Sequence, residues 1–222
     1  MGNMLERQFW VGIGGPSCAG KSTLARRLLE QLPEGSARLL PLDAYYFDLS
    51  HVPFEERSGV NFDVPDALDW QLLKSHFDLL RQGEEVEIPV YDFAQHVRKA
   101  ETQRVCPCPV MILEGLHALH VPFPCDKLQL KVYVDAPDTV CFMRRCQRDI
   151  VERGRTKESV IRQYETTVRP AAEVYVRSAK QRADLIVDGT RDEAIVIQII
   201  GERIKDALGL LSASALDEGV SR

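Results

Sequence analysis

Short apolar runs alternate with amphipathic stretches along most of this chain. Residues 9–13, 38–42, 109–113, 128–134 and 184–187 are strand-length runs rich in apolar residues and read as buried strands. Leu24, Ala25, Leu28, Leu29 and Leu32 recur at helical spacing, and Pro33 with Gly35 closes that segment. The same spacing in Leu68, Leu72, Leu73, Phe77 and Leu80 predicts a helix over 67–80, ended near Gly83. A further helix is expected from about 138 and another over 194–208. Between them, one beginning near 156 carries Ile161, Tyr164, Val168, Ala172 and Tyr175 on one face, with a kink at Pro170.

Strands alternating with helices predict an α/β fold, a parallel sheet flanked by helices. Two segments interrupt the alternation: 44–66 is a long polar loop rich in Tyr, Phe, Asp and Pro, and 86–93 pairs with 98–105 as an inserted β-hairpin. Residues 209–222, small and polar, read as a frayed tail, which leaves 1–208 as a single domain with its hairpin insertion at about 86–105.

Between the first strand and the first helix stands Gly15-Pro16-Ser17-Cys18-Ala19-Gly20-Lys21-Ser22, followed by Thr23. This is G-x-x-x-x-G-K-S, the loop that cradles the phosphates of nucleoside triphosphates. A strand, a tight glycine turn and a helix N-terminus aim several backbone N–H groups at one spot, with the helix dipole behind them. Lys21 can then reach the β- and γ-phosphates, and the Ser22 hydroxyl can ligate Mg²⁺.

Composition narrows the setting. The 222 residues are 45 % hydrophobic and 27 % charged, as in ordinary soluble globular proteins, and the net charge of −5 argues against nucleic acid as the main partner. No apolar run approaches the length of a membrane span. Glu6 and Arg7 interrupt any signal-peptide pattern, and Glu6 stands where a myristoylation motif wants Ser or Thr. Cys106-x-Cys108 is too tight for a zinc knuckle, so the six cysteines read as free thiols in a reducing cytoplasm.

In an open parallel sheet, ligands bind beyond the carboxyl ends of the strands. Asp43, Glu114 and Asp135 all fall at such ends, as does the phosphate loop. Glu114 is placed to hold Mg²⁺ or its water beside Ser22, and Asp43 to face an acceptor hydroxyl as general base. For Asp135 a solvated strand-end cap is an equally good reading.

Several further blocks carry a resemblance. Leu42-Asp43-Ala44-Tyr45-Tyr46, Asn61-Phe62-Asp63-Val64-Pro65-Asp66-Ala67, Pro89-Val90-Tyr91-Asp92-Phe93 with His96 and Arg98, Leu113-Glu114-Gly115, Arg148-Asp149-Ile150 through Glu152-Arg153-Gly154-Arg155, and Gln163-Tyr164 stand in family order. Over nearly its whole length the chain resembles the uridine kinase (uridine–cytidine kinase) family of P-loop kinases.

The resemblance implies phosphorylation of the 5′-hydroxyl of uridine and cytidine in pyrimidine salvage. ATP, with GTP as the alternative donor, and Mg²⁺ are the implied cofactors. It casts Asp43 as the base on the 5′-hydroxyl and Glu114 with Ser22 as the Mg²⁺ partners. Asp63 and Arg145 become a ribose-holding pair, a carboxylate being a natural acceptor for vicinal hydroxyls. Tyr91, Phe93 and His96 on the hairpin would wall and read the base, with Phe62 and Tyr46 as added aromatic faces. Arg148, Arg153 and Arg155 would be lid arginines over the triphosphate, in a lid at about 144–165, and Gln163 a further nucleoside contact. The implied partner is the nucleoside, with no nucleic acid or membrane, in a tetrameric homo-oligomer.

Departures from the family pattern are Pro16, which removes an N–H donor, Cys18 and Ala19 in the phosphate loop, and His117, where a small or apolar residue is usual. A kinase for another small hydroxyl acceptor, phosphoribulokinase-like or pantothenate kinase-like, is the nearest rival. A GTP-dependent switch would need Asn-Lys-x-Asp, but Asn3 and Asn61 are followed by Met4 and Phe62.

Overall fold

The computed structural model describes residues 8–191 and 194–217. In chain order its elements are β1 (Phe9–Gly14), α1 (Lys21–Gln31), β2 (Ala37–Pro41), α2 (Phe54–Arg57), α3 (Trp70–Arg81), β3 (Val86–Asp92) and β4 (Val97–Val105). Then follow β5 (Val110–Glu114), β6 (Leu130–Asp135), α4 (Asp138–Arg153), α5 (Lys157–Gln163), α6 (Arg169–Ala171), β7 (Leu185–Asp188) and α7 (Ala194–Asp217).

Five strands make one parallel sheet in the order β2-β5-β1-β6-β7. The runs along β1 and β5 are apolar without a break because both faces are covered. Trp10, Met111, Leu113 and Tyr133 feed a core shared with α3 and the hairpin. Their neighbours Val11, Ile13, Val110, Ile112, Val132 and Val134 feed a second core against α1 and α7.

Pairing of Glu114 with both Ile13 and Pro41 brings the ends of β1, β2 and β5 level. The chain leaves central β1 between β5 and β6, which continue on opposite sides, and an open sheet forms its crevice at such a point. Strands β3 and β4 form a separate antiparallel pair with a register slip between Pro89 and Tyr91. Arg98 ties this pair to the segment after β2, its Nε donating to the Tyr46 carbonyl at 2.9 Å and its Nη2 to that of Tyr45 at 3.3 Å.

Four expectations shift. The third helix starts at Trp70 rather than 67, because Pro65–Ala67 is a 3₁₀ turn, Leu68 bridges to Tyr46, and Asp69 caps the helix by accepting the Leu72 N–H at 3.0 Å. The polar loop contains two structured pieces, the 3₁₀ turn Leu42–Tyr45 and α2. Pro170 sits between two wide π turns, Tyr164–Val168 and Ala172–Val176, which make room where its ring would strike a tight turn. The last helix runs on to Asp217, since leucines and alanines fill most of 207–216 and the single Gly209 costs only about 1 kcal/mol.

Residues 218–222 of the expected tail, and residues 1–7 on which the reading of the N-terminus rests, lie outside the described residues. Among the described residues, no helix is long and apolar enough to cross a membrane.

Candidate active site

The phosphate loop leaves β1 through Gly15, whose φ is +138° and where a Cβ would sit 2.2 Å from the Val134 carbonyl oxygen. Only glycine fits that position. Cys18 adopts φ +62°, a left-handed conformation that costs a side-chain-bearing residue about 1–2 kcal/mol. Arg144 holds this turn from α4, its Nη1 donating to the carbonyls of Cys18 at 3.3 Å, Ala19 at 3.4 Å and Gly189 at 3.0 Å. Pro16 lacks a donor, but its carbonyl accepts from the Ala19 N–H at 3.1 Å and from the buried Lys21 Nζ at 2.9 Å. Lys21 is thereby folded back against its own loop.

The level strand ends place two carboxylates beside that lysine. Ser22 Oγ donates to Glu114 Oε2 at 3.2 Å. Burial pushes the Glu114 carboxyl up to about 7, opposed by Lys21 and reinforced by Asp43. Burial likewise raises Asp43, against the pull of Lys21, Arg153 and Arg148. Both shifts describe a pocket that penalises its own negative charge. Asp135, by contrast, pairs with Lys180 at 2.6 Å on the surface and does not line the cavity.

The other end of the site is built from the 44–66 segment, the hairpin and α4. Asp63 is buried; its Oδ1 accepts from Arg145 Nη1 at 3.3 Å, and its Oδ2 has no partner among the described residues. The Tyr91 hydroxyl is also buried without a partner there, and burial raises its pKa, so the phenol keeps its proton. Tyr46 packs against Phe62, Tyr91 and Phe93, with ring centroids 5.5–6.4 Å away. His96, at φ +55° in the hairpin turn, stacks on Phe62 with centroids 4.8 Å apart and 16° between planes. Burial, then Arg155, Arg153 and Arg57, lower the His96 pKa, so the imidazole is neutral at pH 7.

The arginines converge on one acid. Asp149 is fully buried; Arg148 reaches its Oδ1 at 2.8 Å, Arg153 reaches Oδ1 at 3.5 Å, and Arg145 and Arg155 reach Oδ2 at 3.5 and 3.7 Å. Gln163 Oε1 accepts from Arg145 Nη2 at 3.2 Å and from Arg155 Nη1. The Arg153 guanidinium lies 4.6 Å from the centroid of the Phe93 ring. Sequence reasoning gave no role to Asp149 or Arg144. Arg145, Asp149 and Arg153 at steps of four share one helix face, and that spacing was the available signal for Asp149. For Arg144, whose partners are backbone carbonyls, no signal existed.

One cavity of about 820 Å³ joins these parts. Its walls include Ser17, Cys18, Gly20, Lys21, Ser22, Thr23, Asp43 and Glu114 at one end and Tyr46, Phe62, Asp63, Tyr91, Phe93 and His96 at the other. Arg145, Arg148, Arg153, Arg155 and Gln163 close the side between them. Gly15, Pro16 and Ala19 do not line it; they shape the loop from behind. Arg27, Leu116, Arg144 and Gly189 to Arg191 complete the lining without having been foreseen.

Comparison with known proteins places the chain in a family. Residues 10–196 match the model of the Phosphoribulokinase / Uridine kinase family. A uridine kinase of Halobacterium salinarum is 42 % identical over 207 residues, covering 93 % of this chain and 91 % of that protein. One of Chloroflexus aurantiacus is 42 % identical over 198 residues, covering 89 % and 95 %. Among solved structures, D-glycerate 3-kinase from Cryptococcus neoformans superposes with a TM-score of 0.60 at 18 % identity, over 84 % of this chain and 88 % of the other, a likeness of fold alone.

Proposed function

The chain belongs to the phosphoribulokinase / uridine kinase family, and on that premise we propose that it moves the terminal phosphoryl group of ATP to the 5′-hydroxyl of uridine and cytidine, giving UMP and CMP for pyrimidine salvage. The observation that carries this reading is a single cavity with a phosphate loop at one end and an aromatic-walled end holding two polar atoms, Asp63 Oδ2 and the Tyr91 hydroxyl, that have no partner among the described residues. A sugar with vicinal hydroxyls answers the first, and a flat base edge the second.

Asp43 takes the proton from the acceptor hydroxyl as its oxygen attacks the γ-phosphorus, and the bond to the β–γ bridging oxygen breaks. Burial raises its proton affinity, which suits a base. Lys21 leaves the Pro16 carbonyl for the phosphates, and Arg148, Arg153 and Arg155 neutralise charge on the transferring group. Arg145 aligns Asp63 on the ribose, while Tyr46, Phe62, Phe93 and His96 sandwich the base and exclude water. Ser22 and Glu114 offer only oxygen donors, which suits a hard cation, and would hold Mg²⁺, whose chemistry is to neutralise the β- and γ-phosphate oxygens.

The test is turnover of a panel of acceptors by purified protein with ATP and Mg²⁺. Uridine and cytidine should give their 5′-monophosphates, with adenosine, pantothenate and ribulose 5-phosphate left unused. Efficient turnover of any of the last three in place of the pyrimidines would overturn the acceptor assignment.

A further inference from the structure

Behind the acceptor carboxylate lies a buried histidine with no part in the chemistry just described. His117, 2 % exposed, stands three residues past Glu114 on the segment leaving β5. Its Nε2 is 3.1 Å from the main-chain carbonyl oxygen of Asp63. A carbonyl can only accept, so Nε2 carries the proton and Nδ1 is bare. That Nδ1 has no partner among the described residues. Burying a polar ring with one nitrogen unpaired is unfavourable, and the hydrogen bond to Asp63 is the gain that offsets it.

The surroundings give that bond a purpose. His120 stacks on Trp70 with centroids 5.0 Å apart, and the Trp70 indole N–H donates to the Pro65 carbonyl at 2.9 Å. The segment 61–67 is thus gripped at two carbonyls, Asp63 and Pro65, from one wall of the molecule. The Asp63 N–H is spent locally on Asn61 Oδ1 at 3.0 Å. Its carboxylate meets Arg145, leaving His117 as the link from the Asp63 main chain to the strand end that bears Glu114.

We infer that His117 is a positioning residue: it fixes the Asp63 main chain to the segment carrying Glu114, and so sets the acceptor's hydroxyls at the right reach from the transferring phosphate. The inference rests on the reading of Asp63 as the ribose-holding carboxylate. Small misplacements of a bound reactant weaken catalysis strongly, so the effect falls on the acceptor and spares the donor.

The comparison is between His117→Gln and His117→Asn, with His117→Leu as the apolar control. The Gln amide nitrogen reaches about as far as Nε2 and can donate to the Asp63 carbonyl, whereas the shorter Asn falls back to the place of Nδ1. With uridine, ATP and Mg²⁺, His117→Asn and His117→Leu should lower kcat/KM for uridine about tenfold and leave the KM for ATP within about twofold. His117→Gln should recover most of the loss. Should His117→Leu fail to fold, the Gln and Asn pair still decides the matter. Equal uridine kinetics in the two amides, or a rise in the KM for ATP matching that for uridine, would overturn the inference. Wild-type protein in the same assay separates the two claims, because absent uridine turnover there would instead refute the acceptor reading.

Discussion

Replacing Asp149 with asparagine keeps the shape of the side chain and removes the one negative charge that four arginines share. Arg145, Arg148, Arg153 and Arg155 all lie within 3.7 Å of it, and it is wholly buried. Breaking a buried ion pair costs about 3–5 kcal/mol. The Arg148, Arg153 and Arg155 side chains are 28 %, 23 % and 17 % exposed, so water recovers part of the loss. A cost of about 2–3 kcal/mol follows, and at about 2–4 °C per kcal/mol for a domain of this size the unliganded Tm should fall by about 4–12 °C. On the proposed reading, a bound triphosphate brings its own negative charge to the same arginines. Thermal unfolding of wild type and Asp149→Asn, each with and without a non-hydrolysable ATP analogue and Mg²⁺, should therefore show a wide gap that narrows when the analogue is present. A variant that melts with wild type in the absence of nucleotide, or a gap that nucleotide leaves unchanged, would show that Asp149 does not hold the arginines against their mutual repulsion.

Three further outcomes follow from the geometry. Asp43→Asn should lower kcat by about 10²–10⁴-fold with uridine affinity nearly unchanged, and an equal loss of binding in calorimetry would make Asp43 a positioning group instead of the base. His96→Phe keeps a ring to stack on Phe62 but loses both ring nitrogens; it should raise KM for uridine and cytidine unequally and leave adenosine unused, and unchanged steady-state constants would put His96 outside the base contact. Burial lowers His117 to about 4 from a histidine's ordinary 6.5, so between those values the unfolded chain binds a proton that the folded chain refuses. That stability is present in full above pH 6.5 and is lost as pH falls toward 4, by about 3 kcal/mol. Denaturant titrations across that range should show a shallower acid loss in His117→Leu than in wild type, and parallel curves would refute the neutral burial.

The parallel sheet and the phosphate loop were legible because their signals are local. A strand, a glycine turn and a helix adjoin one another in sequence, and Asp43 and Glu114 follow strands whose ends the sheet must bring level. The aromatic wall was legible only through resemblance, since nothing local says that Phe62 will stack on His96 from a different segment. Contacts made through the backbone stayed hidden. Arg144 grips three carbonyls and His117 grips one, and any residue type could have supplied those oxygens. The π turns about Pro170 and the extension of α7 were missed for another reason: the proline was read as a simple kink and the small and polar residues from 209 on as a tail, and helical context reshaped the first and overrode the second.

The contact between Arg153 and Phe93 joins the two ends of the cavity, which the proposed reading gives to two different substrates. One residue belongs to the arginine cluster and the other to the aromatic wall, and their charge-to-ring attraction spans the seam. On the proposed reading, a triphosphate that draws Arg153 away gives up this contact, and a base that settles against Phe93 competes with Arg153 for the same ring. Coupling of that kind is reciprocal: the factor by which the donor analogue changes affinity for the nucleoside equals the factor by which the nucleoside changes affinity for the analogue. Phe93→Leu removes the ring and with it the contact, and should bring both factors toward one together.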